Sequence, residues 1–178
     1  MKHAIGPRKE MGVRTIFNVL GPLTNPAGAP NQLLGVYDDR WVEPLAKVLK
    51  QLGSNHVMVV HSEDGLDEIS SGAPTNVAEL KAGEITTYQI RPEDFGISSG
   101  SLDALKVDNA EQSLAMVRSV FANEAGPSRD IIQLNAGAAI YVAGLADSLA
   151  EGVARAAEVI ASGAAAQKLD DMVTVSNQ

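Results

Sequence analysis

The sequence predicts an α/β fold, with a mostly parallel sheet, an antiparallel hairpin and flanking helices. Residues 32–61 run strand, helix, strand, the order of a βαβ unit with a parallel pair. Residues 76–90 read as two strands around a Gly-containing turn, and the last third of the chain is helical in pattern. At 178 residues, 45% apolar and 20% charged, the chain is long enough for one domain with a sizeable core, and no repeat or linker suggests a second.

Gly12–Pro26, GVRTIFNVLGPLTNP, opens the chain's distinctive stretch. An apolar patch broken by Asn18 leads into Gly21-Pro22-Leu23-Thr24-Asn25-Pro26. Two prolines four residues apart do not suit a helix interior, so Leu20–Pro26 is expected to be rigid loop. Gln32–Tyr37 follows as a short buried strand. Asp38 or Asp39 then caps a helix carrying Trp41, Val42, Leu45, Val48, Leu49 and Leu52 at helical spacing. Pro44 sits near its first turn, where proline is tolerated, and Gly53 suits the position just past its end. His56–His61, HVMVVH, is the near-continuous apolar run expected of a strand buried on both faces.

Asn76–Ile90 is expected to be a hairpin decorating that sheet, turning at Lys81–Glu84. Arg91–Val107, rich in Pro, Gly, Ser and Asp, reads as an irregular surface excursion without chemistry. Asp108 with Glu111 resembles a capping box ahead of a helix bearing Leu114, Val117, Val120 and Phe121. Gly126-Pro127 breaks the chain before an Ala- and Ile-rich helix over Arg129–Val142. Ser148 and Glu151 form a further capping box, and Gly163 closes the helix behind it. A short helix over Gly163–Asp171 and a frayed polar tail from Thr174 complete the expectation. The small-residue runs at Gly137–Ala139 and Gly163–Ala166 are assigned to close helix packing, not to a nucleotide loop.

Composition excludes several classes. The absence of cysteine removes disulfides and thiolate metal sites and is compatible with a cytoplasmic location. A net charge of −8 argues against nucleic-acid and anionic-membrane partners. No apolar run approaches the ~20 residues of a membrane span.

Chemistry concentrates in Ser62–Glu68, the loop behind the second strand, where ligands of open α/β sheets bind. Four carboxylates crowd into residues 63–68 with no compensating base. Glu63 and Asp64 are read as solvated. Adjacent Asp67 and Glu68, beside Gly65, are hard oxygen donors of the kind Mg²⁺ takes. His56 and His61 lack a partner at metal spacing and are read as structural. At the other end, Lys2, His3, Arg8 and Lys9 form a basic cluster on an acidic chain.

The string R-T-I-F-N-V-L-G-P-L-T-N-P at Arg14–Pro26, the basic residues before it and Gly65-Leu66-Asp67-Glu68 together resemble the anthranilate phosphoribosyltransferase family of tryptophan biosynthesis. The resemblance runs along the whole chain but covers only the C-terminal half or so of the family's length. It implies a partial nucleoside phosphorylase/phosphoribosyltransferase-like α/β domain. It also implies transfer of a phosphoribosyl group from phosphoribosyl pyrophosphate to anthranilate, with Mg²⁺ as cofactor. Arg8 matches the arginine that meets the anthranilate carboxylate, a role suited to its planar fork, with Arg14 the next candidate. Pro22 matches a residue lying against the substrate's ring, and Asp67 and Glu68 match the pair that holds Mg²⁺ on the pyrophosphate. No residue stands out as a general base.

Two phosphate-binding strings of that family, a G-T-G-G-D loop and a K-H-G-N loop, occur nowhere in the chain. The chain is therefore expected to be the C-terminal portion of the α/β domain, without the Gly-rich loop or the N-terminal helical domain that carries the dimer contact. The intact enzyme is expected to be a cytoplasmic homodimer, and this portion alone to be inactive. A pyrimidine-nucleoside phosphorylase-like enzyme and a non-enzymatic nucleic-acid-binding relative are the alternatives. The Arg14–Leu23 string weighs against the first, and the acidic charge against the second.

Overall fold

Alternation along one strand divides the core in two. In the computed structural model, which describes Gly6 and residues 17–178, with side chains from Leu20 onward, β2 (His56–Ser62) is the axis. Val57 and Val59 point to one face, and Met58 and Val60 to the other, all essentially without solvent contact. Over the first face lies α2 (Val42–Gln51), which contributes Val42, Leu45, Ala46 and Leu49. Over the second lie α4 (Pro127–Val142) and α5 (Leu149–Ala161), which contribute Leu134, Ala138, Tyr141, Val142 and Val153. The result is helix, sheet and helices in three layers.

The four-stranded sheet is ordered β1-β2-β3-β4. The strand β1 (Asn31–Gly35) runs parallel to β2, with Asn31 opposite His56 and Gly35 opposite Val60. The hairpin strands β3 (Thr75–Lys81) and β4 (Glu84–Ile90) are antiparallel to β2 and to each other. Among the described residues the sheet is thus mixed rather than mostly parallel. The reason lies in β3, which is no decoration: Thr75, Val77, Ala78 and Leu80 are buried, and the strand pairs on both sides. Its turn places Ala82 at φ 51° and Gly83 at φ 79°, the double positive φ that two-residue hairpins need.

Other expectations shift in detail. The loop expected at Leu20–Leu23 is the end of a helix, α1 (Phe17–Leu23), with Pro22 in its last turn. A proline donates no N–H, and the helix stops one residue later, where Thr24 Oγ1 donates to the Leu20 carbonyl over 2.9 Å. Asp38 caps a 3₁₀ turn (Asp39–Trp41) leading into α2. Helix α3 (Ala110–Phe121) is capped by Asn109 rather than Asp108: the Asn109 carboxamide accepts from the Gln112 N–H over 2.9 Å. Ser148 does cap α5, and Gly163 closes it with φ 78°. The last helix, α6 (Ala164–Ser176), runs further than expected through the polar tail, supported by Gln167 and Lys168 bonding to Asp171.

The excursion at 91–107 contains two 3₁₀ turns (Pro92–Phe95 and Leu102–Leu105) and plants Ile97 in the second core. Gly137 and Gly152 let α4 and α5 touch: a β-carbon on Gly137 would stand 2.5 Å from the Val153 Cα. Close packing accounts for that small-residue run. No helix among the described residues is long and apolar enough to cross a membrane.

Candidate functional site

The parallel pair β1–β2 ends where Val36 N–H donates to the Val60 carbonyl over 2.9 Å, and the chain leaves both strands on the same side. The Ser62–Glu68 loop forms there. Ser62 N–H donates to the Leu66 carbonyl at 3.0 Å and Gly65 N–H to the Ser62 carbonyl at 2.9 Å, closing a tight turn at Gly65, φ 92°. Two acidic residues read as solvated take part in building it. Asp64 accepts from Ser70 Oγ at 2.6 Å, and Glu63 accepts from Gln89 Nε2 at 2.9 Å. Short carboxylate–donor distances fix these side chains, so the loop's geometry uses part of its charge.

Asp67 and Glu68 come next, and both are solvent-exposed. The backbone that carries them is not free. The Asp67 carbonyl lies against Gly35, at the end of β1, so closely that a β-carbon there would stand 1.5 Å from its oxygen. Beyond Glu68, the Ile69 N–H donates to Asn135 Oδ1 at 2.9 Å, and Asn135 Nδ2 donates to the Ile69 carbonyl at 2.8 Å. Ile69 itself is buried in the second core.

Two depressions meet at this pair. A cleft of about 70 Å³ at the end of β1 is lined by Pro22, Leu34, Gly35, Val36, Tyr37, Leu45 and Asp67. A larger apolar groove of about 410 Å³ lies on the other side, with Asp67 and Glu68 at its rim and Val117, Phe121, Ile131 and Ile132 in its walls. The structure therefore brings Pro22 and Asp67 to one cleft, with Glu68 adjacent. Arg8 lies outside the described residues.

Neither Asp67 nor Glu68 has a hydrogen-bond or ion-pair partner among the described side chains. Partial burial of the Glu68 carboxyl, and then the Asp67 charge beside it, raise its pKa above the ordinary carboxylate value. Two adjacent, unpartnered carboxylates on a held backbone suit a hard divalent cation, which would relieve their repulsion. Among the described residues no group of three His, Cys, Asp or Glu converges on one point, so the pair could fill only part of a coordination shell. The remaining positions would fall to phosphate oxygens and water, as Mg²⁺ commonly arranges.

The histidines behave as read. His61 Nδ1 bonds the Val36 carbonyl at 2.7 Å, tying the strand ends together. His56 stands at the opposite end of β2, 2.8 Å from Glu79, whose carboxylate also accepts from Tyr88 and Tyr141 at 2.7 Å each. That network is remote from the acidic pair along the strand, and sequence reading missed it. Its signal was an acid between Ala78 and Leu80 inside a strand, which must find partners when buried. Gly35 and Asn135 were missed as well. A glycine inside a strand often marks a close backbone approach, and an asparagine in an Ala-rich helix marks a polar partner.

Comparison with known proteins bears on this geometry. A family model described as glycosyl transferase family, a/b domain, matches residues 1–166. Among curated relatives, the anthranilate phosphoribosyltransferase of Thioalkalivibrio sulfidiphilus is 65% identical over 98% of this chain and 52% of its own length. That of Methylococcus capsulatus is 63% identical over the whole chain and 52% of its own length. The crystal structure of anthranilate phosphoribosyltransferase from Thermus thermophilus superposes with TM-score 0.90 at 44% identity, covering 98% of this chain and 51% of that one. The Saccharomyces cerevisiae enzyme in complex with phosphoribosyl pyrophosphate and Mg superposes at 0.85 with 28% identity, covering 96% of this chain and 49% of that one. The chain thus spans about half the length of the relatives it matches. With a family model covering nearly all of it, and a matching α/β fold, the chain belongs to the glycosyl transferase family and carries its a/b domain.

Proposed function

We propose that this chain supplies the acidic loop and acceptor cleft of an anthranilate phosphoribosyltransferase. A segment equivalent to the rest of its relatives' length would contribute the Gly-rich phosphate loop. The observation that carries this reading is that Pro22 and Asp67 line one cleft, with Glu68 adjacent, where the parallel strands end. The yeast relative in complex with phosphoribosyl pyrophosphate and Mg supports the substrate class, as does the same enzyme in complex with 4-fluoroanthranilate.

In this reading the anthranilate amine attacks the anomeric carbon, and the bond from that carbon to the diphosphate oxygen breaks. The new C–N bond gives N-(5-phosphoribosyl)anthranilate, while pyrophosphate leaves with the electron pair and the amine proton passes to solvent. Asp67 and Glu68 would hold Mg²⁺, which offsets charge on the departing diphosphate. Arg8 pairs with the anthranilate carboxylate through its planar guanidinium. Pro22 offers a rigid apolar surface to the ring, and Gly35 lets the Asp67 backbone close against β1. Much of the acceleration then comes from alignment of the two substrates. The intact protein is a homodimer working in the cytoplasm, on small molecules rather than nucleic acid.

The test is substrate choice. The chain joined to the part of the Thioalkalivibrio relative's length that it does not span is offered anthranilate with phosphoribosyl pyrophosphate, or thymidine with phosphate. Loss of anthranilate fluorescence with equimolar pyrophosphate release is the expected result. Phosphorolysis of thymidine alone would assign the chain to a nucleoside phosphorylase instead.

A further inference from the structure

We infer that Asn135 is a positioning residue for the acidic pair, an assignment that rests on the reading of Asp67 and Glu68 as Mg²⁺ ligands. Asn135 lies in α4, sixty-six residues along the chain from Ile69, yet its carboxamide engages both backbone groups of that residue. Oδ1 accepts from the Ile69 N–H at 2.9 Å, and Nδ2 donates to the Ile69 carbonyl at 2.8 Å. One side chain thus does what a strand neighbour does in a ladder, fixing the peptide planes before and after a single residue. The first of those planes joins Glu68 to Ile69, so it sets the direction in which the Glu68 Cα presents its side chain.

The amide is itself held in register. Nδ2 also donates to the Ile131 carbonyl one turn back on α4, at 2.9 Å, so both amide hydrogens are used and the O/N assignment follows from the partners. The helix is anchored in the core by Leu134 and Ala138 and against α5 through Gly137. Ile69, 2% exposed, is buried in the same core. The clamp therefore ties the loop to the buried core that Ile69 shares with Leu134 and Ala138. On the other side, the Asp67 carbonyl rests against Gly35. The peptide planes on both sides of Glu68 are thus constrained while the carboxylates of the pair stay exposed, and Ile131 and Ile132 of the same helix line the groove beside them. Two flexible carboxylates lose rotational freedom when they meet in one coordination shell, and a fixed backbone reduces that cost.

A merely structural asparagine would affect melting and nothing else, so the test reads metal binding directly. The chain is titrated with Mn²⁺ in the presence of inorganic pyrophosphate, following water-proton relaxation, as wild type, Asn135→Ala, Asn135→Gln and Asp67→Asn/Glu68→Gln. The double variant is expected to lose the bound Mn²⁺ signal. Asn135→Ala is expected to weaken binding about tenfold or more, the range typical for groups that orient metal ligands. Asn135→Gln keeps the amide but displaces it by one methylene, and is expected to fall between Asn135→Ala and wild type, which covers the case in which the alanine variant does not fold. If the double variant loses binding while folded Asn135 variants bind as wild type, the positioning role is wrong and the acidic-pair reading stands. If the double variant binds as wild type does, both are wrong.

Discussion

Gly35 and Asp67 are in backbone contact: the Asp67 carbonyl oxygen occupies the space where any other residue at position 35 would place its β-carbon, 1.5 Å away. This joins the end of β1 to the acidic loop behind β2, and it requires glycine for space rather than for φ. Gly35→Ala is expected to push the loop off the strand end and to destabilise the protein by about 1–3 kcal/mol, the usual cost of forcing extra volume into a packed site. Urea denaturation checks it, and a variant as stable as wild type would mean the loop has room to retreat.

Glu68 yields a prediction about pH. Its folded pKa is raised by burial and by Asp67, so its contribution is most favourable below the ordinary carboxylate pKa and declines as pH rises through the folded value. Glu68→Gln is accordingly expected to raise the melting temperature slightly at pH 7 and to leave it unchanged below about pH 4, near the unperturbed carboxylate value. Calorimetric melting at the two pH values makes the comparison; a gain that is the same at both would point to a cause other than charge.

The buried cluster at the other end of β2 has the opposite sign. Burial pushes the Glu79 pKa up, but hydrogen bonds from Tyr141, Tyr88 and His56 outweigh it and hold the carboxyl below its ordinary value. That stability is present above the unfolded pKa and is lost as pH falls through the folded one. Tyr88→Phe removes a 2.7 Å bond to a buried carboxylate and is expected to cost about 1.5–3 kcal/mol at neutral pH. The cost should shrink under acid, where Glu79 is protonated. Denaturation at pH 7 and at about pH 2, well below the ordinary carboxylate value, reads the difference, and equal costs would mean Tyr88 acts through packing alone.

Much of this could be read from residue order. The pattern 32–61 was legible as strand, helix, strand because two short apolar runs flank a segment whose apolar residues recur at helical spacing. The acidic pair was legible from its place behind a doubly buried strand. What was not legible depended on groups far apart in sequence. The Asn135 bonds to Ile69 and the triple acceptance by Glu79 exist only once α4 has docked on the sheet. The mixed sheet was misjudged because the hairpin's first strand, Thr75–Lys81, carries Asn76 and Glu79 among its apolar residues and so reads as half-exposed, although Glu79 is buried by its partners. Pro22 was misplaced because a proline in a last turn forfeits one N–H bond and ends a helix without preventing the residues before it from forming one.

Arg8 is tested through substrate discrimination. Arg8→Ala in the joined protein is expected to raise the KM for anthranilate far more than that for phosphoribosyl pyrophosphate, by a loss of about 1.5–3 kcal/mol for a charge-assisted bond. Steady-state kinetics with each substrate varied in turn supply the two constants. Equal changes in both would move the carboxylate contact to Arg14.

The most direct measurement is the Mg²⁺ dependence of turnover in the joined protein, with Asp67→Asn/Glu68→Gln beside wild type and with this chain alone as the third sample. Wild type is expected to turn over anthranilate with saturable Mg²⁺ activation. The double variant is expected to need more Mg²⁺ and to turn over more slowly with no loss of fold stability, and the chain alone to give no product. A double variant whose Mg²⁺ activation curve overlays that of wild type would contradict the assignment of Asp67 and Glu68 as the pair that holds the metal.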